Sequence, residues 1–481
     1  MDVLAKDSSA KSAKSTKGIN PTTKRIKPEH LFDLPLELLL QIFSFIDVKT
    51  LGRLGRTCRQ LRGLCRDDVL WNRILDDDGG AIRLRCPHPI SFRRISPPSF
   101  HVARVSSNWS DGISDERRLV SFRFKEMPRL RIQDSALPKD QSLFSSRGRT
   151  IEKRARRKNG GVDAEVEMLF KGLDDDVADF VVATDRVFGV GRNGSFATWP
   201  LEDPDSQYTR MERLTEGGKW KGKSKTKYVA SRYTNFQLKN AHHGDIHAVA
   251  EHVGVFITGS RDCFVKLWKL NDLENREESG ATNLRSIPVY DRVWSLACSP
   301  DGAILASGTA GLGGVPALRL WTVEGGQALG VLADAESARN GAGILHLHFE
   351  TPHLLLSAGY DTFLRLWDLR MRSSALRLED PHDNAVYSAW SDDRSPIIIT
   401  GTARHSVVNI WDRRKIKAPV RMMFANQSKG NASSPVYSMA VEWDRLYVAN
   451  DQGISVFEYG IYRRDRRTAH VQSGYTFTND G

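Results

Sequence analysis

Residues 257–270, ITGSRDCFVKLWKL, contain the pattern that decides the fold. A short apolar stretch is followed by a turn of small and polar residues, and then by a second apolar stretch that contains Trp268. Related segments end at Trp321, Trp367 and Trp411, at successive spacings of 53, 46 and 44 residues. Short apolar stretches bounded by turn residues favour β-strands, and their recurrence along the chain indicates an internal repeat.

The repeat extends beyond these four copies. A weaker copy ends at Trp199, and another places Phe457 at the corresponding position, 46 residues after Trp411. A degenerate first copy around residues 127–155 would complete a set of seven. A spacing of roughly 40–45 residues with four strands in each unit is typical of a β-propeller. Because ring closure removes exposed sheet edges, we expect the units to fold together and not singly.

Residues 127–460 resemble the WD-repeat family. This resemblance implies an all-β fold, a seven-bladed WD-repeat β-propeller. In that family a His, a Ser or Thr, an Asp and the Trp form a hydrogen-bonded set within a blade, and several copies here lack one or more members. One complete structural blade set is recognisable, and its members are His242, Thr258, Asp262 and Trp268.

A different pattern occupies residues 34–45, LPLELLLQIFSF. The apolar arc of this segment covers roughly 220° when it is wound as a helix, whereas a surface helix needs little more than about 100°. Two apolar faces need two partners, and the helices that follow can cover only one of them. At 3.6 residues per turn the two neighbouring stripes are Leu38, Ile42 and Phe45, and Leu39, Phe43 and Ile46.

Residues 34–74 resemble the F-box motif nearly end to end. An F-box is the helical module that binds the Skp-type adaptor of SCF ubiquitin ligases, so the resemblance implies a small N-terminal all-α F-box domain over residues 30–76. It also implies that the second apolar face of the helix belongs to the adaptor. On periodicity alone, the centre of an ordinary helical bundle stays an alternative. The implied adaptor contacts or direct supports are Leu34, Pro35, Leu38, Leu39, Ile42 and Phe43.

The remaining segments are assigned by composition. Residues 1–29 are rich in Lys, Ser and Thr, which predicts a disordered basic tail. Residues 77–126 contain several prolines and predict a linker, in which residues 99–109 could form a short helix. The gap between the Trp199 and Trp268 copies is too long for one blade, and its polar, Lys-rich surplus predicts a basic loop insertion. The insertion covers residues 201–230, and a C-terminal tail covers residues 461–481.

Charge, cysteines and hydropathy argue against several classes of protein. The net charge of +12 is concentrated in tails and loops, whereas a nucleic-acid-binding domain more usually carries its positive charge on one folded face. The five cysteines are odd in number and contain no CxxC pair, which argues against a disulfide framework or a zinc site. No segment is typical of a secretory signal or a membrane span. We therefore predict no metal, cofactor or membrane partner, and a cytoplasmic or nuclear location.

The mouth of the propeller channel is the candidate substrate site. Some F-box receptors bind phosphorylated degrons there through arginines, either near the start of the innermost strand or just before the blade Asp. Here these positions hold mostly aromatic residues and one clear arginine, which predicts a peptide-binding mouth that is not mainly a phosphate clamp. Rings that pack inward or merely line the channel are the alternative. The candidate substrate-binding residues are His247, Arg261, Trp294, Tyr360, Tyr387 and Tyr437.

An F-box followed by WD repeats is a receptor layout. The resemblance implies a non-enzymatic, substrate-recognition subunit of an SCF ubiquitin ligase. Its F-box would bind the adaptor, and through it the cullin–RING ligase, while its propeller would bind the protein substrate. Two alternatives stay open: a WD-repeat scaffold that does not direct degradation, and, with less support, a nucleic-acid binder that uses the basic loops.

Overall fold

The structure of the protein is a computed structural model. The chain forms two compact units, Met1–Arg73 and Ile74–Gly481. The predicted tails, residues 1–29 and 461–481, lie outside the described residues. The described residues are 31–77, 99–111, 114–122, 127–133, 142–157, 161–201, 209–213, 228–234, 236–270, 280–312, 315–334, 337, 339–393, 395–425 and 434–460.

The first unit is helical. A 3-10 turn, Leu31–Asp33, precedes α1 (Leu36–Ser44), α2 (Val48–Leu54), α3 (Arg59–Leu64) and α4 (Asp68–Asp77).

Side chains fix where these helices begin. The Asp47 carboxylate caps α2 by accepting a hydrogen bond of 2.9 Å from the backbone N–H of Thr50. The α3 helix begins after Cys58, whose Sγ accepts from the backbone N–H of Leu61 at 3.4 Å. The buried members of this unit are Leu39, Leu40, Phe43, Leu51, Cys65, Leu70 and Trp71.

The second unit is a seven-bladed β-propeller, with seven sheets among the described residues. The first strand in the sequence, β1 (Asp115–Ser121), belongs to the last blade. Blade 1 contains β2 (Leu130–Ile132), β3 (Leu143–Arg147), β4 (Thr150–Arg154) and β5 (Met168–Lys171). Blade 2 contains β6 (Val177–Val182), β7 (Arg186–Gly191), β8 (Phe196–Pro200) and β11 (Phe236–Leu238), with β9 (Thr209–Arg213) and β10 (Tyr228–Tyr233) between the last two in sequence.

The other blades are regular four-stranded antiparallel sheets. Blade 3 contains β12 (Ile246–His252), β13 (Val255–Ser260), β14 (Phe264–Leu270) and β15 (Ala281–Pro288). Blade 4 contains β16 (Val293–Cys298), β17 (Ile304–Thr309), β18 (Leu318–Thr322) and β19 (Ala328–Leu332). Blade 5 contains β20 (Ile344–Thr351), β21 (Leu354–Gly359), β22 (Phe363–Asp368) and β23 (Ser373–Glu379). Blade 6 contains β24 (Val386–Ser391), β25 (Ile397–Thr402), β26 (Val407–Asp412) and β27 (Arg421–Phe424), and blade 7 contains β28 (Ser438–Val441), β29 (Arg445–Asn450) and β30 (Gly453–Glu458).

The ring is closed by strands from its two ends. Strand β1 pairs antiparallel with β30 and forms the outermost strand of blade 7. This strand lies inside the predicted linker of residues 77–126, so the propeller begins before the predicted boundary at residue 127. Its sequence, DERRLVS, is mostly polar, as suits an outer strand with one solvated face, and it therefore carried no apolar signal.

The predicted linker also contains a helix that packs on blade 7. Helix α5 (Ser99–Asp111) buries Trp109, whose ring stacks on Tyr459 at a centroid distance of 3.5 Å. The Trp109 Nε1–H donates to the carbonyl of Trp443 at 2.9 Å, and the Asn108 side-chain amide donates to the carbonyl of Tyr459 at 2.6 Å. The segment that leads into the propeller is thus fixed to its last blade.

The predicted basic loop insertion, residues 201–230, is partly a hairpin. Strands β9 and β10 pair antiparallel, and β10 pairs parallel with β5, so the insertion from blade 2 extends the outer edge of blade 1. The buried Arg232 side chain holds it there by donating to the carbonyl of Pro200 at 2.6 Å. Residues 214–227 lie outside the described part of the sequence.

The predicted blade set of blade 3 is assembled as a series of hydrogen bonds. Trp268 Nε1–H donates to Thr258 Oγ1 at 2.8 Å, and Thr258 Oγ1 lies 2.7 Å from His242 Nε2. His242 Nδ1 lies 2.9 Å from Asp262 Oδ2, so the neutral ring donates to the carboxylate and accepts from the threonine. Burial would raise the pKa of Asp262, but hydrogen bonds from His242 and nearby backbone N–H groups outweigh it and lower that pKa to about 2.

Blade 5 keeps the Trp and the Asp but replaces the His. Trp367 Nε1–H donates to Ser357 Oγ at 2.8 Å. The buried Arg365 guanidinium pairs with both Asp361 and Asp334. The blade Asp of blade 5 thus pairs with a cation, whereas that of blade 3 pairs with a neutral His.

We predict that Thr258→Val costs more stability than Ser357→Ala. The first change leaves two buried groups unsatisfied, Trp268 Nε1–H and His242 Nε2, whereas the second leaves only Trp367 Nε1–H. At about 1–3 kcal/mol for each unsatisfied group, the expected losses are about 2–6 and about 1–3 kcal/mol. Urea unfolding of the two variants measures the difference, and equal losses would mean that His242 is not part of a coupled set.

Candidate adaptor-binding face and propeller mouth

Helix α1 has two apolar faces, and only one of them is covered. Leu39 and Phe43 are 4% and 3% exposed and belong to the core of the helical unit. Leu38, Ile42 and Phe45 are 47%, 43% and 85% exposed and form a stripe on another face of the same helix. We call these three residues the exposed stripe. Contiguous exposed apolar side chains of this kind mark interaction surfaces in soluble proteins.

The structure divides the predicted adaptor-binding residues into two groups. Leu38, Ile42 and Pro35 are exposed, and Leu34 is half-buried, so these four are available to a partner. Leu39 and Phe43 are buried in the core of their own unit, so of the two predicted roles, contact or direct support, only that of support is open to them.

Sequence reasoning missed part of this surface. Leu31, Phe32 and Leu36 are also exposed apolar residues and extend it toward the N-terminal side of α1. Leu31 and Phe32 lie in the 3-10 turn, where the helical period that revealed the stripe does not apply. Phe45 directly follows the last residue of α1. Its position fits the helical period, which had placed it in the stripe but not among the predicted adaptor contacts.

The predicted aromatic residues of the mouth form one continuous cluster. Trp294 contacts Tyr360, with ring centroids 5.3 Å apart. Tyr360 contacts Tyr387, and Tyr387 contacts Tyr437, each at 6.0 Å. All three contacts are edge-to-face, the arrangement that the ring quadrupole favours. We call these four residues, contributed by blades 4 to 7, the aromatic crescent.

The hydroxyl groups of Tyr387 and Tyr437 stay protonated at neutral pH. Burial raises the pKa of Tyr387, and a hydrogen bond of 3.3 Å between its hydroxyl and that of Tyr360 raises it further. Burial also raises the pKa of Tyr437. The crescent therefore offers apolar faces with neutral hydroxyl groups at their edges.

The remaining predicted residues, His247 and Arg261, lie in blade 3. Arg261 is exposed and donates through Nη1 to Asp245 at 3.2 Å. Burial lowers the pKa of His247 to about 4; Asp245 opposes this shift, and the positive charges of nearby arginines strengthen it. His247 is therefore a neutral ring at neutral pH.

Two arginines that sequence reasoning missed lie at the same mouth. Arg192 lies in the turn between β7 and β8, seven residues before Trp199, just as Arg261 lies seven residues before Trp268. Arg129 directly precedes β2 and donates to the carbonyls of Ala178 and Tyr437 at 3.3 and 3.0 Å. Counting back from Trp199 would have found Arg192, whereas the first blade has no Trp from which Arg129 could be located.

The mouth is thus aromatic on one side and cationic on the other. Blades 1 to 3 supply the cations, whereas blades 4 to 7 supply the crescent. The cations are Arg129, Arg192 and Arg261. Because the positive charge of each of them acts on His247, all three lie within electrostatic reach of one ring. One clear arginine was predicted at the mouth from the sequence, whereas the structure has three arginines close to His247.

Neither a metal cluster nor a membrane-spanning helix occurs in the part of the sequence that the structure describes. No group of three or more His, Cys, Asp and Glu side chains there could hold a metal ion. None of the described helices is both long enough and apolar enough to cross a membrane.

Comparison with known proteins identifies the family. Residues 31–77 match the F-box-like family model, and residues 282–312 match that of the WD domain, G-beta repeat. The protein is 30% identical over 440 residues to F-box/WD repeat-containing protein 4 of Homo sapiens, and the match spans 89% of this protein and 93% of the relative. The protein of that name from Mus musculus is 29% identical over the same length. The chain therefore belongs to the F-box/WD repeat-containing proteins.

A more distant relative matches a smaller part of the sequence. F-box/WD repeat-containing protein 9 of Bos taurus is 25% identical over 228 residues, 46% of this protein and 44% of that relative. The prediction of an F-box followed by WD repeats is confirmed. Within the family, the segments ARVSSNWSDG (103–112), RVWSLA (292–297) and SSPVYSMA (433–440) indicated a resemblance to dactylin, and the similarity to protein 4 agrees with it.

We predict that Tyr360→Ala costs less than about 2 kcal/mol of the free energy of unfolding, because Tyr360 is 43% exposed and loses only ring-edge contacts. Trp367→Ala, at a fully buried ring of the same blade, should cost about 3–5 kcal/mol. Denaturant unfolding of both variants measures this. A loss at Tyr360 as large as that at Trp367 would favour the alternative that the mouth rings serve packing alone.

Proposed function

We propose that this protein is the substrate-recognition subunit of an SCF ubiquitin ligase. The F-box binds a Skp-type adaptor, which connects the protein to the cullin–RING ligase, and the propeller binds the substrate to be ubiquitinated. The observation that carries the proposal is the exposed stripe of α1, since Leu38, Ile42 and Phe45 are uncovered in the F-box unit. Family membership supports it, because both modules of the receptor layout are present.

The energetics favour a partner on this face. Fully burying one Leu, Ile or Phe side chain is worth roughly 1.5–3 kcal/mol, and the three side chains of the stripe lie on one accessible surface. Pro35, Leu31 and Phe32 add exposed apolar area beside it. Leu39 and Phe43 hold the helix from its other side, so the stripe is presented on a packed scaffold.

The protein itself forms and breaks no bond in this role. Its contribution is proximity, because holding a substrate on the ligase converts an encounter in solution into a reaction within one complex. The role would place the protein in the cytoplasm or the nucleus.

We predict that Leu38→Glu lowers the affinity for a purified Skp-type adaptor at least about tenfold, since it removes roughly 1.5–3 kcal/mol of apolar burial. Gln41→Glu is the matched control, because it adds the same charge to an exposed position on the polar side of α1. Calorimetric titration of adaptor into each full-length variant measures the two affinities.

Unchanged adaptor binding by Leu38→Glu, or equal losses in both variants, would contradict the proposal. A second readout separates a ligase receptor from a scaffold that binds the adaptor alone. Capture of the wild-type protein should recover a cullin, and the turnover of co-captured proteins should slow in Leu38→Glu cells. If the wild-type protein binds the adaptor but turnover in Leu38→Glu cells is as fast as in wild-type cells, the scaffold is favoured.

A further inference from the structure

We propose that the mouth binds an extended peptide segment that places a carboxylate at Arg192 and an apolar or aromatic side chain on the aromatic crescent. The carboxylate belongs to an Asp or Glu side chain of the bound polypeptide. This inference deepens the proposed function, since the peptide would belong to the substrate, but peptide binding can be measured without ligase assembly.

The crescent has the dimensions of a short peptide site. Its four rings follow one another in steps of 5.3, 6.0 and 6.0 Å. An extended peptide advances about 3.3–3.6 Å per residue, so the crescent accommodates at most about five residues. Aromatic walls with neutral hydroxyl edges suit apolar, aromatic or proline side chains, whose polar backbone can bond to the hydroxyls.

Among the described residues, Arg192 has no strong side-chain partner. Its Nη2 contacts Met127 Sδ at 2.8 Å, and a thioether is a weak acceptor. Its Nε is buried and has no hydrogen-bond partner within the described residues. A guanidinium whose described contact is a thioether gains strongly from a charged acceptor, so a ligand carboxylate at its exposed Nη2 end would replace a weak contact by a charge-assisted one.

Tyr437 connects the aromatic and cationic parts. It is the last ring of the crescent, and the positive charges of Arg192 and Arg129 both act on its hydroxyl. Arg129 also donates to the Tyr437 carbonyl at 3.0 Å. One continuous peptide can therefore contact the crescent and Arg192 together.

The pairing of the other arginines favours a carboxylate over a phosphate. Arg261 is already paired with Asp245, and Arg129 already uses two of its nitrogens on backbone carbonyls. A phosphate carries nearly two negative charges and is bound by clustered charged donors. Within the part of the sequence that the structure describes, Arg192 is the one of these three arginines that has no ion pair and no carbonyl acceptor for its side chain, so the mouth matches a single negative charge.

The test is a selection of random peptides of about ten residues, roughly twice the length that the crescent accommodates, on the immobilised full-length protein. We expect enrichment of peptides with Asp or Glu within about five residues of Trp, Phe, Leu or Pro. Replacing the acid of an enriched peptide by its amide should weaken binding about tenfold. Arg192→Met should cause the same loss for the acidic peptide and no further loss for the amide, as a double-mutant cycle requires.

Arg186→Met is the matched control. Arg186 is the first residue of β7, and Arg192 directly follows the other end of that strand, so the control change should leave peptide binding unchanged. Selection without acidic enrichment, or equal effects of the two arginine variants, would overturn the proposal. A phosphoserine version that binds more than about tenfold tighter through Arg192 would also overturn it, in favour of a phosphate clamp. Since no adaptor or cullin is present, a failure here is distinct from a failure of the ligase role.

Discussion

Ring closure by strands β1 and β30 is the constraint on which the rest of the propeller depends. Each blade buries its faces against two neighbours, so the first and last blades are stable only if they meet. Besides a shared hydrophobic cluster, the polar contacts that join them include Arg156 with Glu442 at 2.9 Å, the Leu130 N–H with Ser438 Oγ at 3.1 Å, and Arg129 with the Tyr437 carbonyl at 3.0 Å. The last of these also brings the cationic side of the mouth against the end of the aromatic crescent, so closure and the candidate site share a contact.

The sequence was informative where a residue type repeats at a fixed distance, and uninformative elsewhere. Tryptophans at regular spacing predicted the blades. The positions near the start of the innermost strands and just before the blade Asp predicted the crescent, because these positions are equivalent in every copy. Strand β1 escaped prediction because a polar outer strand has no apolar pattern, and its partner β30 lies more than 300 residues away in the sequence. Arg129 was not predicted because the first blade has no Trp from which to count. The β9–β10 hairpin was not predicted because its pairing with blade 1 depends on tertiary contacts that the local sequence does not reveal.

The F-box helix was predictable to the level of its two faces, but not to the level of which face is free. Helical periodicity shows that Leu38 and Leu39 lie on neighbouring stripes, yet it does not say which stripe the following helices cover. Packing decides this: Leu39 and Phe43 join Leu51 and Trp71 in the core, which leaves Leu38 and Ile42 outside. One helix thus stabilises its own unit and also presents an exposed apolar stripe.

Native-state hydrogen exchange of the full-length protein tests the closed ring most directly. If β1 completes blade 7, its amides should exchange as slowly as those of β29, because both would open only when the ring unfolds cooperatively. The outermost strands of the other blades provide the comparison under the same conditions. Fast exchange throughout residues 115–121, with slow exchange retained in β29, would show that the ring is not closed by this strand and would contradict the account.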